Sequence, residues 1–169
     1  MRKLFLVAGA VALLGFVAGE AEAQVKVGFG AHASFATEVD LGLGARANFD
    51  LAAVENLAIV PSFDIHFPGN GGEGISNNWM EFSVNAHYSF PLADNPGLLP
   101  YAGGGLTHVR NKVKVTILGI SDSYTATDTG LNLIGGVKFP QFGSFVPFGE
   151  LRYSTAGPGQ LYLTGGINF

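Results

Sequence analysis

Apolar and polar side chains alternate along most of this chain. Val25, Val27, Phe29, Ala31, Ala33 and Phe35 stand at odd positions, with Lys26, Gly28, Gly30, His32 and Ser34 between them. Leu41, Leu43, Ala45, Ala47, Phe49 and Leu51 repeat the pattern against Gly42, Gly44, Arg46, Asn48 and Asp50. Leu57, Ile59, Phe63, Ile65 and Phe67 oppose Ser62, Asp64 and His66. In the next segment the parity flips, and Met80, Phe82, Val84, Ala86, Tyr88 and Phe90 oppose Trp79, Glu81, Ser83, Asn85, His87 and Ser89. Neighbouring side chains of a strand point to opposite faces, so a period of two gives each segment one apolar and one polar face. A helix would need apolar spacings of three and four, which these segments lack.

The second half keeps the habit less regularly. A fifth strand is expected over about Leu98 to Val115, with Leu99, Tyr101, Thr107 and Val109 on one side and His108 and Arg110 on the other. A sixth covers about Tyr124 to Phe139, where Leu131, Leu133, Val137 and Phe139 oppose Asn132 and Lys138. The seventh, about Phe145 to Ser154, sets Leu151 and Tyr153 against Glu150 and Arg152. The last sets Leu161, Leu163, Ile167 and Phe169 against Tyr162, Thr164 and Asn168. Connections differ in character. Ala52 to Asn56, Pro91 to Gly97 and Pro140 to Ser144 read as compact turns, rich in Pro, Gly, Asn and Asp. Pro68 to Asn77 and Ser121 to Thr129 read as longer loops, and Thr37 to Asp40 and Thr155 to Gln160 as modest ones. Eight strands of about 10 residues, with short turns on one side and longer loops on the other, predict an all-β, eight-stranded antiparallel up-and-down transmembrane β-barrel.

The N-terminal stretch reads differently. Arg2 and Lys3 precede an apolar run from Leu4 to Val17, and Ala21-Glu22-Ala23 is a small-residue cleavage site before Gln24. This is the three-part secretory signal, too short in its apolar part to span a bilayer as a helix. Residues 1–23 are therefore expected to be a cleaved signal peptide and residues 24–169 a single barrel domain. Composition narrows the classes further. Of 169 residues 25 are Gly, 47% are hydrophobic and none is Cys, which removes disulfide scaffolds, thiol catalysis and Cys-based zinc sites. A net charge of -4 without a basic domain argues against a nucleic-acid partner.

Alternation alone leaves open whether the apolar face meets lipid or lines the interior of a soluble lipocalin-like barrel. Arg46, Asp64, Glu81, Glu150 and Arg152 place charges of both signs at mid-strand on the polar face. Phe35, Phe49, Phe67, Phe90, Phe139, Tyr153 and Phe169 sit near strand ends, as interfacial girdles do. Both features favour lipid outside. An eight-stranded interior is only wide enough to be filled by side chains, and buried charges must pair. The five charged residues are thus expected to form a lumen network that plugs the barrel.

Tyr101-Ala102-Gly103-Gly104-Gly105-Leu106 on strand five and the closing segment Leu161 to Phe169, together with the signal and the eight strands, resemble the small OmpA/OmpX-like outer-membrane β-barrels. The resemblance implies a place in the bacterial outer membrane, contact with its lipid and lipopolysaccharide, and an assembly signal read by the barrel-assembly machinery at Leu161, Leu163, Ile167 and Phe169. Gly165 stands where that signal usually carries a bulky residue.

Chemistry is sparse. His32, His66, His87 and His108 are expected on the polar face, yet no HxH or HExxH spacing marks a metal site. Ser34 lies two residues from His32, but no GxSxG elbow marks a nucleophile. The sequence therefore predicts no enzyme, no cofactor and no metal, and a structural or surface-interaction role in which the loops could hold an extracellular ligand. A narrow pore for small solutes is the main alternative.

Overall fold

The computed structural model describes residues 25–69, 75–117 and 120–169; the expected signal peptide lies outside them. Eight strands, β1 (Lys26–Ala36), β2 (Asp40–Asp50), β3 (Leu57–His66), β4 (Ile75–Ser89), β5 (Leu99–Ile117), β6 (Ile120–Lys138), β7 (Val146–Ser154) and β8 (Gln160–Asn168), form one closed barrel. Each strand pairs antiparallel with its neighbour in sequence, and β8 returns to β1 with Ala33 opposite Gly165. Closure gives every strand two partners, which hydrocarbon requires because it offers no hydrogen bonds to a free edge.

The faces divide by chemistry. Phe29, Leu43, Phe63, Phe82, Leu106, Leu133, Leu151 and Leu163 point outward and are exposed, while Arg46, Asp64, Glu81, Glu150 and Arg152 are buried inside. A soluble barrel would show the reverse. Small residues make the interior possible. A Cβ on Gly44 would strike His32 and Asp64, one on Gly42 would strike His66, and one on Gly136 would strike the Tyr101 ring. Glycine thus yields the space that large lumen side chains occupy, which accounts for part of its abundance.

Strand lengths are unequal. β5 and β6 have 19 residues each, against 9 for β7 and β8. At about 3.3 Å per residue and a tilt of about 40°, 19 residues rise nearly 50 Å, roughly twice the apolar band of about 25 Å. The β5–β6 hairpin therefore projects well beyond the barrel body. The start of β1 at Lys26 and the end of β8 at Asn168 lie at the opposite end, with the turns after β2, β4 and β6.

Three expectations are corrected. β4 starts at Ile75, so Asn77 is paired strand and not loop. β6 starts at Ile120, and Ser121 to Thr129 are laddered to β5, with Thr116 opposite Ser121 and His108 opposite Thr129. β5 also has the opposite facing for its named residues: Tyr101, Thr107 and Val109 are buried in the lumen, whereas His108 and Arg110 are exposed outside. The β4 register dictates this, because Glu81 is opposite Val109 and Phe82 opposite His108, and directly opposed residues share a face.

Candidate functional site

The lumen gathers polar side chains in two tiers. Toward the end from which the β5–β6 hairpin projects, Arg152 of β7 reaches across to Glu81 of β4 through its Nη1, with both groups buried. Glu81 also accepts from Ser83 Oγ at 3.1 Å and from the Tyr162 hydroxyl at 2.8 Å. The Arg152 guanidinium lies 4.0 Å from the centre of the Tyr162 ring. Ser83 Oγ also lies 2.8 Å from Thr107 Oγ1. Above this tier Ala36, Val39, Trp79, Val109, Ala156 and Tyr162 form a small apolar cluster.

The second tier lies nearer the end where β1 begins and β8 ends. Arg46 Nη1 meets Glu150 Oε2 at 3.3 Å, and the Tyr101 hydroxyl donates to the same oxygen at 2.8 Å. Arg46 Nε donates to Asn168 Oδ1 at 3.1 Å, an acceptor shared with Asn48. Its guanidinium sits 3.3 Å from the Phe148 ring centre, a cation–π contact that desolvation strengthens. Asp64 belongs to neither ion pair. It meets His32 Nε2 at 2.6 Å between the tiers. The cavity among His32, Arg46, Asp64, His87, Glu150 and Arg152 holds only about 20 Å³, room for roughly one water.

The five charged residues singled out in the sequence thus occupy one interior, but as two pairs and a separate carboxylate. The Tyr101, Phe148, Tyr162 and Asn168 contributions were missed. Three of these lie on β7 and β8 at positions whose parity already faced the lumen; Tyr101 was assigned to the wrong side with the rest of β5. Histidine placement is also split. His32, His66 and His87 are inside, while His108 is outside, where its Nδ1 pairs with Thr129 Oγ1 at 2.9 Å. Ser34 contacts His66 Nε2 at 3.1 Å rather than His32, and both groups are buried. Among the described residues no three His, Cys, Asp or Glu side chains converge as a metal shell.

Outside the barrel, Leu161, Leu163, Ile167 and Phe169 all face outward on or beside β8. Gly165 shares their face, and a Cβ there would meet no atom within 4 Å. Beyond the apolar belt, Asp128 accepts from the Gly157 and Thr129 amides at 2.7 and 2.8 Å, which holds its carboxyl below the usual value and ties β6 to the β7–β8 loop.

Solved structures share this architecture. The chain superimposes on Neisserial surface protein A with a TM-score of 0.61 at 16% identity, covering 84% of this chain and 94% of that one. The N-terminal β-barrel domain of Pseudomonas aeruginosa OprF gives 0.59 at 18% identity, with 86% and 100% covered. Ail, the attachment invasion locus protein of Yersinia pestis, gives 0.55 at 21%, with 88% and 100% covered. A second structure of Ail holds the heparin analogue sucrose octasulfate. No curated relative matches the chain. The model of the outer membrane protein beta-barrel domain matches residues 4–141. With lipid-compatible side chains outside a closed eight-stranded sheet, the chain belongs to this family of bacterial outer-membrane β-barrels.

Proposed function

We propose that this protein is a shut, non-catalytic barrel of the outer membrane whose duties are structural and surface-exposed. The observation that carries the reading is the interior: two ion pairs cross it at different heights, and the cavity between them has about 20 Å³. A hydrated solute as large as a sugar has no route through such a space. The apolar cluster around Trp79 and Tyr162 closes the lumen again at the extracellular mouth. Catalysis lacks support for a related reason. Ser34 and His66 are within reach of one another, but both are buried away from lipid, and His66 Nδ1 has no hydrogen-bond partner among the described residues to orient the ring.

In this reading the outer belt partners lipid and lipopolysaccharide, the outward row Leu161, Leu163, Ile167 and Phe169 is what the barrel-assembly machinery engages, and the projecting β5–β6 hairpin offers the surface for any extracellular ligand. Liposome swelling tests the central claim. Vesicles carrying the folded protein should exclude arabinose as well as protein-free vesicles do. Measurable arabinose uptake would replace this reading with the narrow pore.

A further inference from the structure

The outward face of β5 changes character in a single step. Leu106 is apolar and exposed, and the same row continues with His108, Arg110, Lys112, Lys114 and Thr116. Its cross-strand neighbours change too, β6 at the same register and β4 two outward positions farther on. On β6, Leu131 lies opposite Leu106, then Thr129, Thr127, Thr125 and Ser123 lie opposite His108, Arg110, Lys112 and Lys114. On β4, Phe82 and Met80 lie opposite His108 and Arg110, and then Asn78 and Ser76 lie opposite Lys112 and Lys114. Three adjacent strands thus pass from apolar to cationic, hydroxyl and amide side chains along one oblique line. Such a line marks where hydrocarbon ends and the polar headgroup layer of the outer leaflet begins.

The cations stand two residues apart, so about 6.6 Å separates successive charges along the strand, and the flanking strands lie about 4.8 Å to either side. Among the described residues, the carboxylates of β6 are turned away from this face. Asp122 and Asp128 of β6 are opposite Val115 and Val109, on the other side of the sheet. Among the described residues, neither of the two ion pairs nor the His32–Asp64 contact uses Arg110, Lys112 or Lys114. The chain as a whole is acidic, at -4, so three like charges in one row are not an overflow of basic composition. The row is also continuous with the lipid belt and stands on the barrel's flank, below the hairpin tip.

We propose that Arg110, Lys112 and Lys114, with the hydroxyl and amide side chains beside them, bind the phosphate groups of an anionic outer-leaflet lipid. The acyl chains of that lipid lie against Leu106, Phe82 and Leu131, and its phosphates meet the cations directly above. Guanidinium and ammonium groups give charge-assisted hydrogen bonds to phosphate oxygens. The Thr and Ser hydroxyls add neutral donors on one side, and Asn78 adds an amide on the other. This site is independent of whether the lumen conducts, so swelling of arabinose-loaded vesicles leaves it untouched.

The test uses the full-length protein exported to the outer membrane, extracted in detergent and titrated with fluorescent bis-phosphorylated lipid A, with anisotropy as the readout. Neutralising a cation near a membrane surface should weaken binding about fivefold, and the triple variant R110Q/K112Q/K114Q about a hundredfold. Heat-modifiable gel mobility shows that the variant is folded, and K112R/K114R should bind like the parent. Lipid A stripped of phosphate should bind the parent as weakly as the phosphorylated form binds the triple variant. Equal binding of phosphorylated and stripped lipid A overturns the proposal, as does a triple variant that binds like the parent. Effective competition by inorganic phosphate would place the ligand in solution instead of the membrane. Binding of sucrose octasulfate through these cations with no response to lipid A would assign the row to a soluble polyanion, and would equally overturn it.

Discussion

Replacing Arg152 with Met removes one partner from the most enclosed ion pair in the barrel. Glu81 is 0% exposed and Arg152 is 4% exposed, so the carboxylate left behind cannot turn to bulk water. Breaking a buried pair in this way costs about 3–5 kcal/mol. Two features place this case at the lower end. Glu81 keeps the hydroxyl donors of Ser83 and Tyr162, and the cavity of about 20 Å³ that Arg152 lines can extend into the space the guanidinium leaves and admit a water. The expected loss is about 3 kcal/mol, or somewhat over a hundredfold in the folding equilibrium. Reversible urea unfolding in phosphatidylcholine vesicles, followed by heat-modifiable mobility, measures it. The double variant Glu81→Leu with Arg152→Met should recover most of the loss, because no charge is then stranded. A single variant within about 0.5 kcal/mol of the parent would refute the reasoning, as would a double variant whose loss is the sum of the two single ones.

The lipid-facing belt and the extracellular rim lead to further outcomes. Leu43 faces outward at 56% exposure, so Leu43→Arg should cost about 2–4 kcal/mol and reduce the amount of folded protein in membrane fractions, whereas Ser121→Arg on the projecting hairpin should leave it unchanged. Gly165→Leu has open space and completes the outward row of β8, so it should assemble at least as well as the parent. Gly105→Ala should lower yield, because its Cβ would press on the Val84 carbonyl and the Asn85 backbone. The Asp128 carboxyl is held below its ordinary value of 3.8 by the Gly157 and Thr129 amides, so its grip on the β7–β8 loop is present above that value and is lost as pH falls through the lower folded one. Hydrogen exchange at the Gly157 amide should accelerate, relative to its intrinsic rate, in that acidic window, and Asp128→Asn should abolish the pH dependence.

Much of the fold was legible because two unlike solvents meet the sheet. Wherever lipid lies outside and polar groups lie inside, every second residue declares its face, and β1 to β4, β7 and β8 were readable on that ground alone. β5 was misread at the height where the outer solvent changes. Gly103 to Gly105 carry no side chain to mark a face, and beyond Leu106 the outward positions become basic and polar while Val109 and Val113 stand on the inward side. The code is then reversed, and a reader who assumes hydrocarbon outside places His108 in the lumen. The same loss of contrast made Ser121 to Thr129 look like loop, although they are laddered to β5. Which charges would face inward was legible; which would meet was not. Arg46 and Glu150 are 104 residues apart in sequence, and Arg152 and Glu81 are 71 apart, so their pairing depends on barrel diameter and stagger rather than on any local pattern.

The seam between the first and last strands has consequences for how the molecule is made. Ala36 finds its partner at Tyr162, so nearly the whole polypeptide must be in place before the ring can shut. Until then an incomplete ribbon would present two raw borders of amide and carbonyl groups to a medium that cannot satisfy them. Partial molecules therefore have no comfortable resting state in the bilayer. Damage to either end of the chain should act through abundance, with the protein intact or missing and little in between.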